Sequence, residues 1–159
     1  MKKTTIACIL AFLLAVLACL NSFGEDKEKY GFYVPKANEE IYGTWINMAY
    51  TGTGQYVQKF VLYDWGYWEG YDKAASTLPS TYPGTYILVD KWTDSEGNIW
   101  YKEYVRERHG MNPHFELDKI SKDGTVWEYV FGYNDFPKAD TMNSKNPYYR
   151  IYYREQETE

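Results

Sequence analysis

From Tyr42 onward the chain is broken at short intervals by turn-forming residues, and no stretch between them carries the period of a long helix. Thr51-Gly52-Thr53-Gly54, Pro83-Gly84, Asp94-Ser95-Glu96-Gly97-Asn98, His109 to Pro113 and Lys122-Asp123-Gly124 are the clearest interruptions. Each joins residues that favour tight turns, glycine for its freedom at positive φ and Asp or Asn for their side-chain bonds to nearby backbone. Between them lie runs rich in Tyr, Trp, Ile, Val and Thr, the residues that suit a pleated, half-buried surface. Aromatic residues make up 19% of the chain, with 18 tyrosines. A chain patterned in this way has to fold as an antiparallel sheet.

Eight strands are expected: Thr44 to Tyr50, Gln55 to Tyr63, Trp65 to Tyr71, Thr85 to Trp92, Ile99 to Arg106, His114 to Ser121, Thr125 to Tyr133 and Pro147 to Arg154. Their spacing is that of a sandwich or barrel. Eight antiparallel strands close naturally into an up-and-down barrel, which leaves no unpaired edge. The expected fold class is therefore all-β, an eight-stranded antiparallel up-and-down barrel preceded by an N-terminal signal segment. In such a barrel alternate connections share one end. The long connections after the first, third, fifth and seventh strands then lie opposite Trp45, and the tight turns at Ser95 to Gly97 and Lys122 to Gly124 lie beside it.

The residues before Tyr42 read differently. Lys2 and Lys3 precede an uncharged run, Ile6 to Leu20, rich in Leu, Ala, Ile and Val. That is the pattern of a secretory signal rather than of a membrane span. Val16-Leu17-Ala18-Cys19 resembles a bacterial lipobox, which implies acylation of Cys19 and a membrane anchor. Ser22-Phe23-Gly24, small at both ends, offers an ordinary signal-peptidase site instead. The organisation expected is a signal and tether start over 1–24, a polar linker over 25–40, the barrel over 41–155 and a tail over 156–159. The product would be exported to the cell envelope, as an anchored lipoprotein or as a periplasmic or secreted protein.

Both cysteines, Cys8 and Cys19, lie in the signal region, so the domain has neither a disulfide nor thiolate chemistry. With 17 basic against 22 acidic residues the chain carries a net charge of −5. That balance excludes nucleic acid as the main partner, because binding to phosphate backbones needs clustered Lys and Arg. No G-x-S-x-G, P-loop or G-x-G-x-x-G pattern is present, and no catalytic residue or cofactor is expected. His109 and His114 flank one loop, and a metal centre there would need a third ligand such as Glu107 or Glu116. Polar surface accounts for both histidines, and no metal site is expected. The carboxylates Glu103, Glu107, Glu116 and Glu128 read as solvated strand faces.

The rings are the remaining candidates for chemistry. Trp65 and Tyr67 share a face of their run and Trp68 takes the other. Tyr86, Leu88 and Trp92 share a face, as do Trp100 with Tyr104, and Trp127 with Tyr129 and Phe131. A pocket built from them would place Trp68, Tyr71, Tyr86, Trp100, Tyr104 and Tyr129 around a small apolar or aromatic ligand.

Gly43-Thr44-Trp45, at the start of the first strand, resembles the G-x-W signature of lipocalins and the wider calycin group. The resemblance covers the two ends of the domain and the strand count. It implies that Gly43 and Trp45 plug one end of the barrel and that the indole packs against a basic residue of the last strand, Arg154 or Arg150. It further implies a small-molecule carrier, here of the small bacterial lipoprotein type. A second expectation is a cell-envelope module that holds a protein or glycan with aromatic loops, which a polar, filled interior would favour.

Overall fold

The computed structural model describes residues 33–50, 56–79, 83–107 and 112–156. Cys19, the alternative cleavage site at Ser22 to Gly24, Thr51 to Gly54 and His109 lie outside these residues.

Eight antiparallel strands form one closed barrel: β1 (Gly43–Ile46), β2 (Lys59–Tyr63), β3 (Tyr67–Tyr71), β4 (Gly84–Thr93), β5 (Ile99–Glu107), β6 (His114–Ile120), β7 (Val126–Gly132) and β8 (Tyr149–Arg154). Each strand pairs with the next, and β8 returns to β1 through Trp45 opposite Arg154 and Ile46 opposite Tyr153. A single 3-10 turn, Ala139–Thr141, is the only helical element among the described residues. Barrel and connections belong to one compact unit that begins at Pro35.

Several strands are shorter than the alternation of their residues suggests, and β2 begins only at Lys59. β1 stops at Ile46 because Asn47 turns the chain. Its Oδ1 accepts from the Ala49 amide at 2.9 Å, and its Nδ2 donates to the Ile151 carbonyl at 2.9 Å. Met48, expected on a strand face, is exposed. Trp65 belongs to no strand, because Gly66 sits at φ +77° and closes a turn back to the Tyr63 carbonyl at 3.1 Å. A side chain at that position would be strained.

β4 departs from expectation in a more consequential way. Its pairing with β5 shifts register between Leu88 and Asp90, leaving Val89 as an extra residue. Tyr86 and Leu88 are buried, but beyond the bulge the inward position passes to Lys91, and Trp92 turns outward to stack on Trp100 at 5.9 Å and 8°. Tyr86, Leu88 and Trp92 therefore do not share a face.

One end of the barrel is closed by the lead-in, residues 36–42. Trp45 is fully buried, and its indole N–H donates to the Ile41 carbonyl at 2.8 Å. The Arg154 guanidinium lies 4.2 Å from the Trp45 ring centroid. It donates to the carbonyls of Gly124 at 2.8 Å and Tyr42 at 2.9 Å, and also to that of Glu40. Gly43, at φ +123°, leaves room for that guanidinium: a Cβ there would come within 2.8 Å of Nη1. Glu39 is buried beside it and accepts from Lys91 Nζ at 2.6 Å and the Tyr101 hydroxyl at 3.0 Å. Arg150, the other candidate for this position, lies on the far side of Tyr152 along β8 and takes no part.

The turns 64–66, 94–98 and 121–125 lie at this closed end, and the strand ends that lead into the β1–β2, β3–β4, β5–β6 and β7–β8 connections lie at the other. Trp45→Ala should destabilise the fold by about 3–5 kcal/mol, the range for truncating a large buried ring. The exposed Trp65→Ala should change stability by less than about 0.5 kcal/mol. Urea unfolding of both variants measures the difference, and a loss below about 1 kcal/mol for Trp45→Ala would show that the indole does not hold the barrel shut.

Candidate functional site

The inward face of the barrel has two distinct parts. Next to the closed end it is a cluster of rings. Phe60 packs edge-on to Trp68 at 5.6 Å, to Trp127 at 5.8 Å and to Tyr152 at 5.2 Å, while Trp127 lies 5.8 Å from Trp45. Edge-to-face pairs of this kind each contribute roughly 0.5–1.5 kcal/mol beyond the area they bury. This half of the barrel is solid core.

Farther along, the inward positions of β5 and β6 are ionisable. Tyr101, Glu103 and Val105 alternate inward on β5, opposite Asp118, Glu116 and His114 on β6. Glu103 retains 2% of its exposure and Asp118 none. Ligand oxygens of Glu103, Glu116 and Asp118 all lie within 4.8 Å of one another. Asp118 Oδ1 accepts from the Trp127 indole at 2.8 Å, and His114 Nε2 lies 2.8 Å from Glu116 Oε1. Glu103 Oε1 and Asp118 Oδ2 are buried and meet no hydrogen-bond donor among the described residues. Burial pushes the carboxyl of Glu103 well above the usual range, helped by the charges of Asp118 and Glu116. Asp118 is raised for the same reason, by burial first and by Glu116 second, against the opposing bond from Trp127.

At the long-loop end, Arg150 is buried with its guanidinium 4.0 Å from the Tyr56 ring and 5.7 Å from that of Phe131. Phe131 also faces His114 at 5.3 Å and Tyr148 at 4.7 Å. Rings and the Arg150 guanidinium thus cluster at the long-loop end.

Of the six rings expected to line a pocket, Trp68, Tyr86 and Tyr129 are buried on the inward face. Tyr71, Trp100 and Tyr104 are not with them. Tyr71 is on the opposite face of β3 from Trp68, where its hydroxyl donates to Glu69 at 2.7 Å and Lys59 sits over its ring. Trp100 stacks on Trp92 and donates to Asp94 at 2.8 Å, and Tyr104 packs on Phe115, itself covered by Phe136. The reason is strand parity: with Tyr101, Glu103 and Val105 inward, Trp100 and Tyr104 must point outward. The same parity corrects two further expectations. Glu103 and Glu116 are buried rather than solvated, and His114 is a buried partner of Glu116 rather than loop surface. Alternation showed that these residues share faces, but aromatic content favoured the wrong face of β5.

A separate groove of about 300 Å³ lies on the outer wall, between Asp90, Trp92, Lys102 and Leu117 and the Pro137 to Ala139 segment.

The fold defines an all-β protein, a closed eight-stranded antiparallel barrel compatible with the calycin type and able in principle to bind ligands. Comparison with family models, with curated proteins and with solved structures finds no match to this chain.

The raised carboxyls set a pH dependence. Glu103 and Asp118 keep their protons in the folded state at pH values where the unfolded chain, with carboxyl pKa values near ~4, has lost them. Stability is then fully present below that value and falls as pH rises toward the folded pKa values. Glu103→Gln keeps the shape of the side chain and removes a titrating group, so the fall between pH 5 and pH 8 should become shallower. Urea midpoints across that window, in chelator-containing buffer, test this. An unchanged fall would mean that Glu103 is ionised in the folded barrel.

Proposed function

We propose that the protein is an exported, lipid-anchored binding protein of the lipocalin-like kind, rather than an enzyme, and that it takes a small ring-bearing molecule through the long-loop end of its barrel. The observation that carries this reading is the asymmetry of the two ends. Trp45, Arg154 and the lead-in fill one end, while the β1–β2, β3–β4, β5–β6 and β7–β8 connections leave from the other. Binding residues concentrate on such loops over a rigid scaffold. Phe131, Tyr56 and Tyr148 offer rings there, and Arg150 and His114 offer polar contacts, the combination from which small-molecule sites are built. Because Phe60, Trp68 and Trp127 pack on one another, the ligand contacts the upper rings and Tyr129 rather than the closed half. The Lys2–Leu20 pattern and Cys19 support export and anchoring.

A second reading rests on a different observation. Trp65 is 67% exposed and stacks flat on Tyr67 at 4.5 Å and 7°, beside Tyr63. A flat, exposed ring pair suits an envelope glycan or a protein surface.

Anilinonaphthalene sulfonate, a ring-bearing probe with an anionic head, distinguishes the two. It should bind once per chain and quench tryptophan emission. Phe131→Ala should weaken binding about tenfold, the equivalent of about 1.4 kcal/mol, and Trp92→Ala on the outer wall should leave it unchanged, with circular dichroism showing both variants folded. Absence of saturable binding, or an equal loss in Trp92→Ala, would overturn the interior site and leave the Trp65–Tyr67 surface as the place to look.

A further inference from the structure

Three acidic side chains from two adjacent strands converge inside the barrel, and the fold does little to neutralise them. Glu103 comes from the middle of β5, and Glu116 and Asp118 from β6. The pairing of the two strands sets Glu103 directly opposite Glu116, with Asp118 two residues further along the same face. Like charges placed opposite each other destabilise a sheet, and buried charges are normally paired or bound to metal. Here the bonds within reach are few. Trp127 serves one oxygen of Asp118 and His114 one oxygen of Glu116. Glu103 Oε1 and Asp118 Oδ2, both on side chains more than nine-tenths buried, meet no donor among the described residues.

We infer that Glu103, Glu116 and Asp118 form an interior site for one hard divalent cation, of the calcium, magnesium or manganese class. The spacing suits it. Oxygens on opposite sides of such an ion, each roughly 2.0–2.6 Å from it, lie about 4.0–5.2 Å apart, and the three carboxylates offer oxygens within 4.8 Å of one another. The donor set is all oxygen, which suits hard cations. His114 and the Trp127 indole act behind the ligands. They hold Glu116 and Asp118 in place by hydrogen bonds, as outer partners of metal ligands do, and leave the second oxygen of Asp118 turned to the site. A divalent ion supplies the positive charge that three clustered carboxylates require.

The site also gives a role to the acid at the centre of the inward face of β5. Trp100 and Tyr104 are the residues a purely apolar interior would use, yet they face outward, and Glu103 takes the inward position between Tyr101 and Val105. This inference stands apart from the ligand reading, because the ion would be held by the barrel wall whether or not an organic molecule enters.

The test uses the full chain, stripped with a chelator and titrated in turn with calcium, magnesium, manganese and zinc while heat release and thermal midpoint are followed. At least one of the three hard cations should bind once per chain and raise the midpoint. Terbium, which replaces calcium, should show luminescence excited through tryptophan, since the Trp127 indole touches a ligand. Glu103→Gln and Asp118→Asn should each abolish or strongly weaken binding, and His114→Gln should weaken it by about 10–100-fold. Glu96→Gln, in the β4–β5 turn, should not alter it. Circular dichroism on each variant separates lost binding from lost fold. If no cation binds once per chain, or if Glu103→Gln binds as the parent does, the acids share protons instead and the inference is wrong. Tighter binding of zinc, dependent on His114 rather than on Glu103, would also overturn it.

Discussion

Closure of the barrel depends on Arg154. β1 has four residues and meets β8 through two residue pairs, so the backbone ladder at the seam is thin. Arg154 reinforces it from inside. Its guanidinium bonds to carbonyls before β1 and in the β6–β7 turn and covers the Trp45 ring. A cation over an indole contributes about 0.5–2 kcal/mol, and hydrogen bonds from a charged donor roughly 1.5–3 kcal/mol each. Lysine could not replace it, because one ammonium cannot reach three carbonyls and lie flat on a ring together. Burial lowers the pKa of the group, yet an arginine stays charged throughout the ordinary pH range.

With that end sealed, the interior divides along the barrel axis. Trp45, Phe60, Trp127 and Tyr152 make the lower part a core in the ordinary sense. Without disulfides, the domain takes much of its stability from these rings. The upper part holds Glu103, Glu116, Asp118, His114 and Arg150, side chains that are poor core material unless something meets them. A fold selected for stability alone would have filled these positions with Leu or Val. The closed half is ordinary core, and the polar half is not explained by packing alone.

Much of this was legible in the sequence. Asp94 to Asn98 and Lys122 to Gly124 announced two hairpins through residues whose chemistry makes turns, and Gly43-Thr44-Trp45 marked the first strand. The order of long and short connections followed from counting strands. The limits were physical as well. Asn47 ended β1 through side-chain bonds to Ala49 and Ile151, the second more than a hundred positions away in the chain. The Val89 bulge moved Trp92 to the outer wall, and nothing in TYILVDKW signals an extra residue. On β5 the ring-rich face was the natural choice for the interior. It faces outward because Phe136, from the β7–β8 connection, covers Phe115 beside Tyr104. Once β5 is set, the burial of Glu103, Glu116 and His114 follows from pairing.

The barrel interior is a sealed aromatic core joined to a cluster of buried ionisable side chains. A high-resolution diffraction structure of the purified full chain tests it most directly. The account predicts solvent, ion or ligand density in contact with Glu103 Oε1 and Asp118 Oδ2, and none among Trp45, Phe60, Trp127 and Tyr152. Protein donors bonded to both of those oxygens, or ordered water among the four rings, would contradict it.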